Sequence, residues 1–454
     1  MALSPFVSVM LEHETRALLT RLVRLQPFAL QETMLPAANL LPSAQVAIEG
    51  FLMAGRRHLR SVAEDFLRWL RSPQASRTTA EHAQRRFTML RLRFNAVLTQ
   101  FDVFQNVITQ RSEHETGVWL SGLDVVSADA LQLRGNFYES PPIICYLDRG
   151  VGAAIRRART RLPGGGDNPV AIIKVPRERM VGTGIASSLI HEVGHQAAAL
   201  LNLVESIRPV LGGLARGSRS DSEAWRLWDR WISEIAADFW SVARVGVAST
   251  MGLMGVVSLP RAFVFRLNVD DPHPVPWIRV KLSAALGRVL HPQPIWDRLS
   301  AIWESYYPLE GLDLRQREIF NMLERTIPGL VAILVNHRPA ALRGRTLAEA
   351  MDLEEFRPEL LRAALQRWRA SPDQMYRVRP LFAFAVIGQG RAENQISPEE
   401  ESTVLGKLLT HWALSSTMQA AAGCVPPAPR RCQCQGRVKR KQISEPTRSM
   451  SWSI

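Results

Sequence analysis

Two histidines and a glutamate stand at helical spacing in His191-Glu192-Val193-Gly194-His195. Residues four apart on a helix project from one face, one turn above the other. Both imidazoles can therefore converge on one zinc ion, which takes histidine nitrogen at about 2.0–2.1 Å. Glu192 is displaced around the helix by about 100 degrees, as roughly 3.6 residues per turn require, and can face the open position where a water would sit. Zinc lowers the pKa of such a water from about 15.7 toward 7. A carboxylate at Glu192 can accept the proton and later pass it to a leaving amine. The chemistry expected of this segment is hydrolysis of a peptide bond, with Glu192 as general base.

A catalytic zinc needs a third protein ligand. It does not come from a continuation of the same helix, where Ala198 and Leu201 occupy the positions that a glycine and a third histidine would take. The best source is Ser233-Glu234-Ile235-Ala236-Ala237-Asp238, in which Glu234 and Asp238 share a helix face. Glu234 can ligate the metal, and Asp238 can accept a hydrogen bond from the distal nitrogen of a ligand histidine, fixing its tautomer. The neighbours Trp231, Phe239 and Trp240 make unpaired carboxylates costly there. Glu205, expected on the motif helix itself, and Glu223, at the edge of a polar loop, are weaker candidates.

In these residues the sequence resembles the gluzincins, zinc peptidases whose ligands are H-E-x-x-H and the glutamate of E-x-x-x-D. It is most similar to the M48 (Ste24/HtpX-like) peptidases over about residues 140–290. Their H-E-x-G-H, E-x-x-A-D and downstream His-Pro with an arginine are matched in order by His191 to His195, by Glu234 with Ala237-Asp238, and by His273-Pro274 with Arg279. The resemblance implies that His273 stabilises the oxyanion and that Arg279 supports that site or the substrate. It also implies that the segment Val170, Ile172, Lys174 is an active-site edge strand, with which an extended peptide pairs. The membrane spans common in that family are missing.

These residues need elements to hold them. Val46 to Leu70 carries apolar residues at helical spacing, stopped by Ser72-Pro73. Thr78 with Glu81 reads as a capping box opening a second helix, whose stripe runs Phe87, Leu90, Phe94, Leu98, Phe101, Phe104, Ile108. The two should pack as an antiparallel hairpin. Pro142 to Leu147 and Val170 to Val175 read as strands, with a helix-like basic stretch and a turn at Gly164-Gly165-Gly166 between them. The motif helix is expected to begin around Gly184 to Ser188 and to run on through Leu200 and Val204. Gly212 to Ser222 reads as an exposed loop, Trp225 to Val245 as a helix, Asp270 to Pro276 as a turn and Trp277 to Leu290 as another helix.

The expected fold class is mainly α with a small β-sheet (α+β), a zincin-type core flanked by helices. The expected divisions are a helical region 1–135, a catalytic domain 136–295, a helical region 296–420 and a basic disordered tail 421–454. The 56 Lys and Arg residues give a net charge of +14, mostly from scattered arginine, as GC-rich bacterial coding produces. No arginine and aromatic groove pattern marks a nucleic-acid site, and none is expected as a partner. The partner expected is a protein or peptide substrate, and the cofactor one Zn2+ ion. The run Val245 to Leu259 is shorter than the roughly 20 residues that cross a bilayer and reads as a buried helix. With no signal peptide in view, a cytoplasmic protein is expected, non-classical export staying open. Four cysteines do not make a disulfide framework, and Cys145 reads as a buried thiol. Cys424, Cys432 and Cys434 offer three thiols and no fourth ligand. His291-Pro292 reads as a helix stop, and Tyr306-Tyr307 as packing. A scaffold that keeps the metallopeptidase shape without turnover is the alternative function, and a nucleic-acid-associated protein with incidental histidines is a third.

Overall fold

The structure is a computed structural model and describes residues 3–24, 35–150, 152–163, 165–177, 182–217, 220–268 and 271–423. The chain is mainly α-helical with one small sheet, as its sequence pattern implies. In order the elements are α1 (Pro5–Arg24), α2 (Pro42–Leu70), α3 (Pro73–Ser76), α4 (Ala80–Ile108), α5 (His114–Leu131), β1 (Ile143–Asp148), β2 (Ala154–Arg156), β3 (Ala171–Pro176), α6 (Thr183–Leu200), α7 (Leu203–Gly217), α8 (Ser222–Val245), α9 (Val247–Val257), α10 (Arg261–Val264), α11 (Pro276–Leu290), α12 (Ile295–Tyr306), α13 (Leu314–Asn336), α14 (Pro358–Ala370), α15 (Pro380–Ala392) and α16 (Pro398–Gly423). Cys424, Cys432, Cys434, Gly164 and all but three residues of the expected tail lie outside the described residues.

The aromatic stripe of α4 packs on α2, with α1 alongside. Proline stops α2 where expected, but the cap of α4 is Thr79, whose side chain accepts the His82 N–H, rather than Thr78.

The sheet has the order β1-β3-β2, β1 parallel and β2 antiparallel to β3. Its strands alternate between two apolar layers, as a period of two requires. Ile143, Cys145, Leu147, Ala171, Ile173 and Val175 enter the main core with α5 and α6. Ile144 and Ile172, with Tyr146 half-buried, face α2 and α4. Being covered on both faces explains why β1 and β3 read as continuous apolar runs.

The main core runs without a break from Leu120 to Trp412, so the helices after residue 296 share it with the sheet and with α6. Buried tryptophans anchor it, and two of them also donate hydrogen bonds across it: Trp240 to the Ala130 carbonyl at 3.1 Å and Trp228 to the Thr326 hydroxyl at 2.8 Å.

Three local expectations are corrected. The stretch after β1 expected to be helical contains β2, a three-residue strand. The motif helix does not pass through Val204. It stops at Leu200, Asn202 takes φ +52°, and α7 leaves at 81° to α6. Asparagine tolerates that left-handed conformation better than most residues. The expected loop from Gly212 is helix as far as Gly217, because Leu203, Ile207 and Leu211 bury one face of α7 against α8.

Among the described residues no single helix is long and apolar enough to cross a membrane. The bent pair Ser188–Leu200 and Leu203–Gly217 passes such a test together, but Leu189, Ile190, Val193, Ala197, Leu203, Ile207 and Leu211 belong to the core.

Candidate metal centre

The centre is built where α6 crosses α8, and Gly194 sets how close they come. A Cβ on Gly194 would lie 2.8 Å from the Ala237 Cα, 2.9 Å from its carbonyl oxygen and 3.0 Å from the Trp240 Cβ. Only glycine lets the two backbones touch there. This contact brings Glu234, three residues before Ala237, beside the imidazoles that flank Gly194 on α6.

Glu234 bridges the histidine pair. One carboxylate oxygen lies 3.1 Å from His191 Nε2 and the other 3.3 Å from His195 Nε2. One donor atom from each of the three residues can be chosen so that all lie within 4.8 Å of one another. Ligands held tetrahedrally at about 2.0–2.1 Å are about 3.3–3.4 Å apart. Glu234 meets both imidazoles near that spacing, and the N, N, O donor set could hold a metal ion such as zinc with one position left for solvent or substrate. Among the described residues no other group of His, Cys, Asp and Glu converges in this way.

Asp238, one turn along α8, faces the back of His191. Its carboxylate is 2.8 Å from His191 Nδ1 and takes two further hydrogen bonds, from Arg279 Nε at 2.7 Å and Nη2 at 2.9 Å. That chain leaves His191 Nε2 as the nitrogen aimed at Glu234. Arg279 projects from the first turn of α11, and its guanidinium is spent on Asp238, with Glu234 a further 3.8 Å away.

The electrostatics follow from this packing. Burial would pull the His191 imidazole down, but the Asp238 carboxylate outweighs it, and the pKa is pushed up to about 9. Burial would raise the carboxyls of Glu234 and Asp238. For Glu234 the bonds from both imidazoles win, and for Asp238 the charges of Arg279 and His191 win, so both stay well below the usual carboxylate range. Glu192 behaves differently. It is 8% exposed and makes no such ion pair, and burial raises its pKa against the opposing pull of the two imidazoles. A carboxyl whose pKa burial raises suits a group that must take and return a proton.

His273 sits at the rim, in the turn before α11. Asp271 holds it twice: one oxygen accepts its backbone N–H at 3.0 Å and lies 2.8 Å from Nδ1. The ring's Nε2 then lies 3.4 Å from Glu234. Asp271 was not singled out from the sequence, although an aspartate two residues before a histidine in a Pro-rich turn is the signal that could have found it.

A cleft of about 350 Å3 exposes this centre, lined by Ala153, Ala154, Ile155, Arg157, His191, Glu192, His195, Ser233, Glu234 and His273. Beside Glu192 it continues into a smaller notch walled by α9, which the sequence reading also missed.

The expected substrate strand is corrected. β3 is the central strand, hydrogen-bonded on both sides, so it has no edge to offer a peptide. Val170 is buried before the strand starts, and Ile172 and Lys174 point away from the histidines into a separate cavity of about 740 Å3 beneath α4. Strand β2 lies on the histidine side. It pairs with β3 alone among the described strands, and the segment 153–155 lines the cleft. A continuous apolar run marks a strand buried on both faces, which is why β3 stood out in the sequence and the three-residue β2 did not.

The remaining candidates lie away from the centre. Glu205 is on α7, exposed and paired with Arg208 at 3.0 Å, and Glu223 is exposed in the first turn of α8. His291 ends α11 and is buried, its Nε2 3.2 Å from the Ala243 carbonyl. Tyr307 donates to the Leu259 carbonyl at 2.9 Å, and Tyr306 is exposed. Cys145 is a buried free thiol.

Compared with family models, with curated proteins and with solved structures, the chain finds no match in any of the three.

Proposed function

We propose that this chain is a zinc-dependent metalloendopeptidase of the gluzincin type. The observation that carries the reading is the meeting of His191, His195 and Glu234 from two helices, with Asp238 and Arg279 locked behind His191. A purely structural ion-pair cluster has no need of a second imidazole on the same carboxylate, nor of a buried, unpaired glutamate opening on the same cleft.

When bound there, zinc supplies Lewis acidity, polarising a carbonyl oxygen and making water acidic enough to attack near neutral pH. The protein's own groups do the rest. Glu192 takes a proton from the attacking water and returns it to the departing amine. Asp238 keeps the His191 proton on Nδ1, and Arg279 keeps Asp238 in place. His273 donates from Nε2 to the carbonyl oxygen as negative charge develops on it. With Nδ1–H given to Asp271, Nε2 can donate only when the ring carries both protons. The free edge of β2 supplies backbone groups to an extended peptide, aligning its carbonyl over the centre.

Metal analysis of the purified protein, paired with digestion of a diverse peptide library, tests the reading. About one zinc per chain is expected, with cleavage that disappears in Glu192→Gln while the zinc stays. A metal-free protein, or identical behaviour of wild type and Glu192→Gln, defeats it.

A further inference from the structure

We infer that the notch beside Glu192 selects a small aliphatic side chain next to the scissile bond. The inference rests on the metallopeptidase reading and adds to it a class of substrate. The notch measures about 120 Å3, and its inner wall is one face of α9, with Ser249, Leu253 and Val256 at positions i, i+4 and i+7. Gly152 and Ala153, just ahead of β2, form the opposite lip, and Glu192 and His191 open onto it.

Of its polar members, Ser249, Asp238 and Arg279 are engaged with other protein groups, while Ser188, His191, Glu192 and His273 also line it. The Ser249 hydroxyl donates to Ser241 Oγ at 2.8 Å, and Asp238 and Arg279 hold each other. The apolar surface offered to an incoming side chain is that of Leu253, Val256 and Ala153. An acidic side chain would meet the Glu192 carboxylate, and other strongly polar side chains would lose water against the apolar α9 face.

Size narrows the class. An apolar cavity of about 150 Å3 is one that takes benzene. A notch of 120 Å3 holds an isopropyl or isobutyl group but not a phenyl ring together with its methylene. A peptide lying along the β2 edge with its carbonyl at the zinc centre carries a neighbouring side chain over this opening. Val, Leu and Ala fit; Phe, Trp, Lys and Asp do not.

The test uses zinc-loaded full-length protein and peptides that differ only in the residues flanking the cleaved bond. Cleavage is followed by mass spectrometry, and binding to the Glu192→Gln protein by fluorescence anisotropy. Val or Leu should exceed Phe by about 10–200-fold in kcat/KM, the range that hydrophobic pockets achieve. Leu253→Ala should move the Phe-to-Val ratio tenfold or more toward Phe. Val256→Phe, which fills the notch instead of emptying it, should move preference toward Gly and Ala. Ratios within one variant are unaffected by partial loss of folded protein. Equal handling of Val and Phe, a profile moved by neither substitution, or no peptide binding at all overturns the inference. Cleavage without size preference overturns the notch and leaves the metallopeptidase reading standing. Size-selective binding without wild-type cleavage supports the notch and overturns that reading.

Discussion

Replacing Asp238 by alanine separates two effects that the structure ties to one carboxylate. Asp238 accepts from Arg279 through two hydrogen bonds and lies 2.8 Å from His191 Nδ1. Losing such an orienting partner weakens metal binding by about 10–100-fold. The same carboxylate, however, raises His191 to about 9, so protons compete with zinc for that ring below pH 9. In the wild type the apparent zinc affinity should climb about tenfold per pH unit from 7 to 9 and then level off, a total near a hundredfold. In Asp238→Ala the proton competition falls away, and the curve should be nearly flat over that range. The two curves are therefore expected to lie about 10–100-fold apart at pH 9 and to meet or cross between about pH 8 and pH 7.

Stability gives an independent readout. Asp238→Ala strands the buried Arg279 guanidinium, a loss of about 3–5 kcal/mol for a broken buried pair. Adding Arg279→Met removes the stranded charge and should recover most of that loss while leaving zinc affinity at pH 9 low. Chelator-buffered zinc titrations across pH, with urea unfolding of the metal-free proteins, supply both measurements. Parallel pH curves for wild type and Asp238→Ala, or recovery of zinc affinity by Arg279→Met, would refute the argument.

Three further outcomes are expected. For the metal-free protein the raised His191 pKa gives stability that is fully present below about pH 6.5 and is lost as pH rises through about 9, a contribution of order 3 kcal/mol; a melting temperature that climbs from pH 6.5 to 9 would contradict this. Gly194→Ala should cost about 1–3 kcal/mol by overpacking and weaken zinc binding as Glu234 is pushed off the imidazoles; unchanged thermal unfolding and zinc titration would show that α6 and α8 do not touch there. His273→Ala should lower kcat by about 100–1000-fold with zinc content unchanged, and Asp271→Asn by a smaller factor with KM nearly constant; a rise in KM alone would assign the pair to substrate binding instead.

The residues proposed as ligands and base stood out in the sequence because their grouping depends on spacing within single helices. His191 and His195, like Glu234 and Asp238, are four residues apart, and the period of a helix alone places each pair on one face. The same periodicity exposed the helices that pack as α2 and α4, and the apolar runs exposed β1 and β3. Tertiary structure decided the facts that join distant segments. No local pattern says that α6 and α8 approach until a Cβ on Gly194 would collide with Ala237. None says that Arg279 binds Asp238, or that Ser249, Leu253 and Val256 wall a notch beside Glu192. The order β1-β3-β2 was also beyond the sequence, and it hands the free edge to a strand of three residues, too few to show a strand's alternation. Local chemistry fixes which atoms a residue can offer. Only packing between elements far apart in the chain fixes which of those atoms meet.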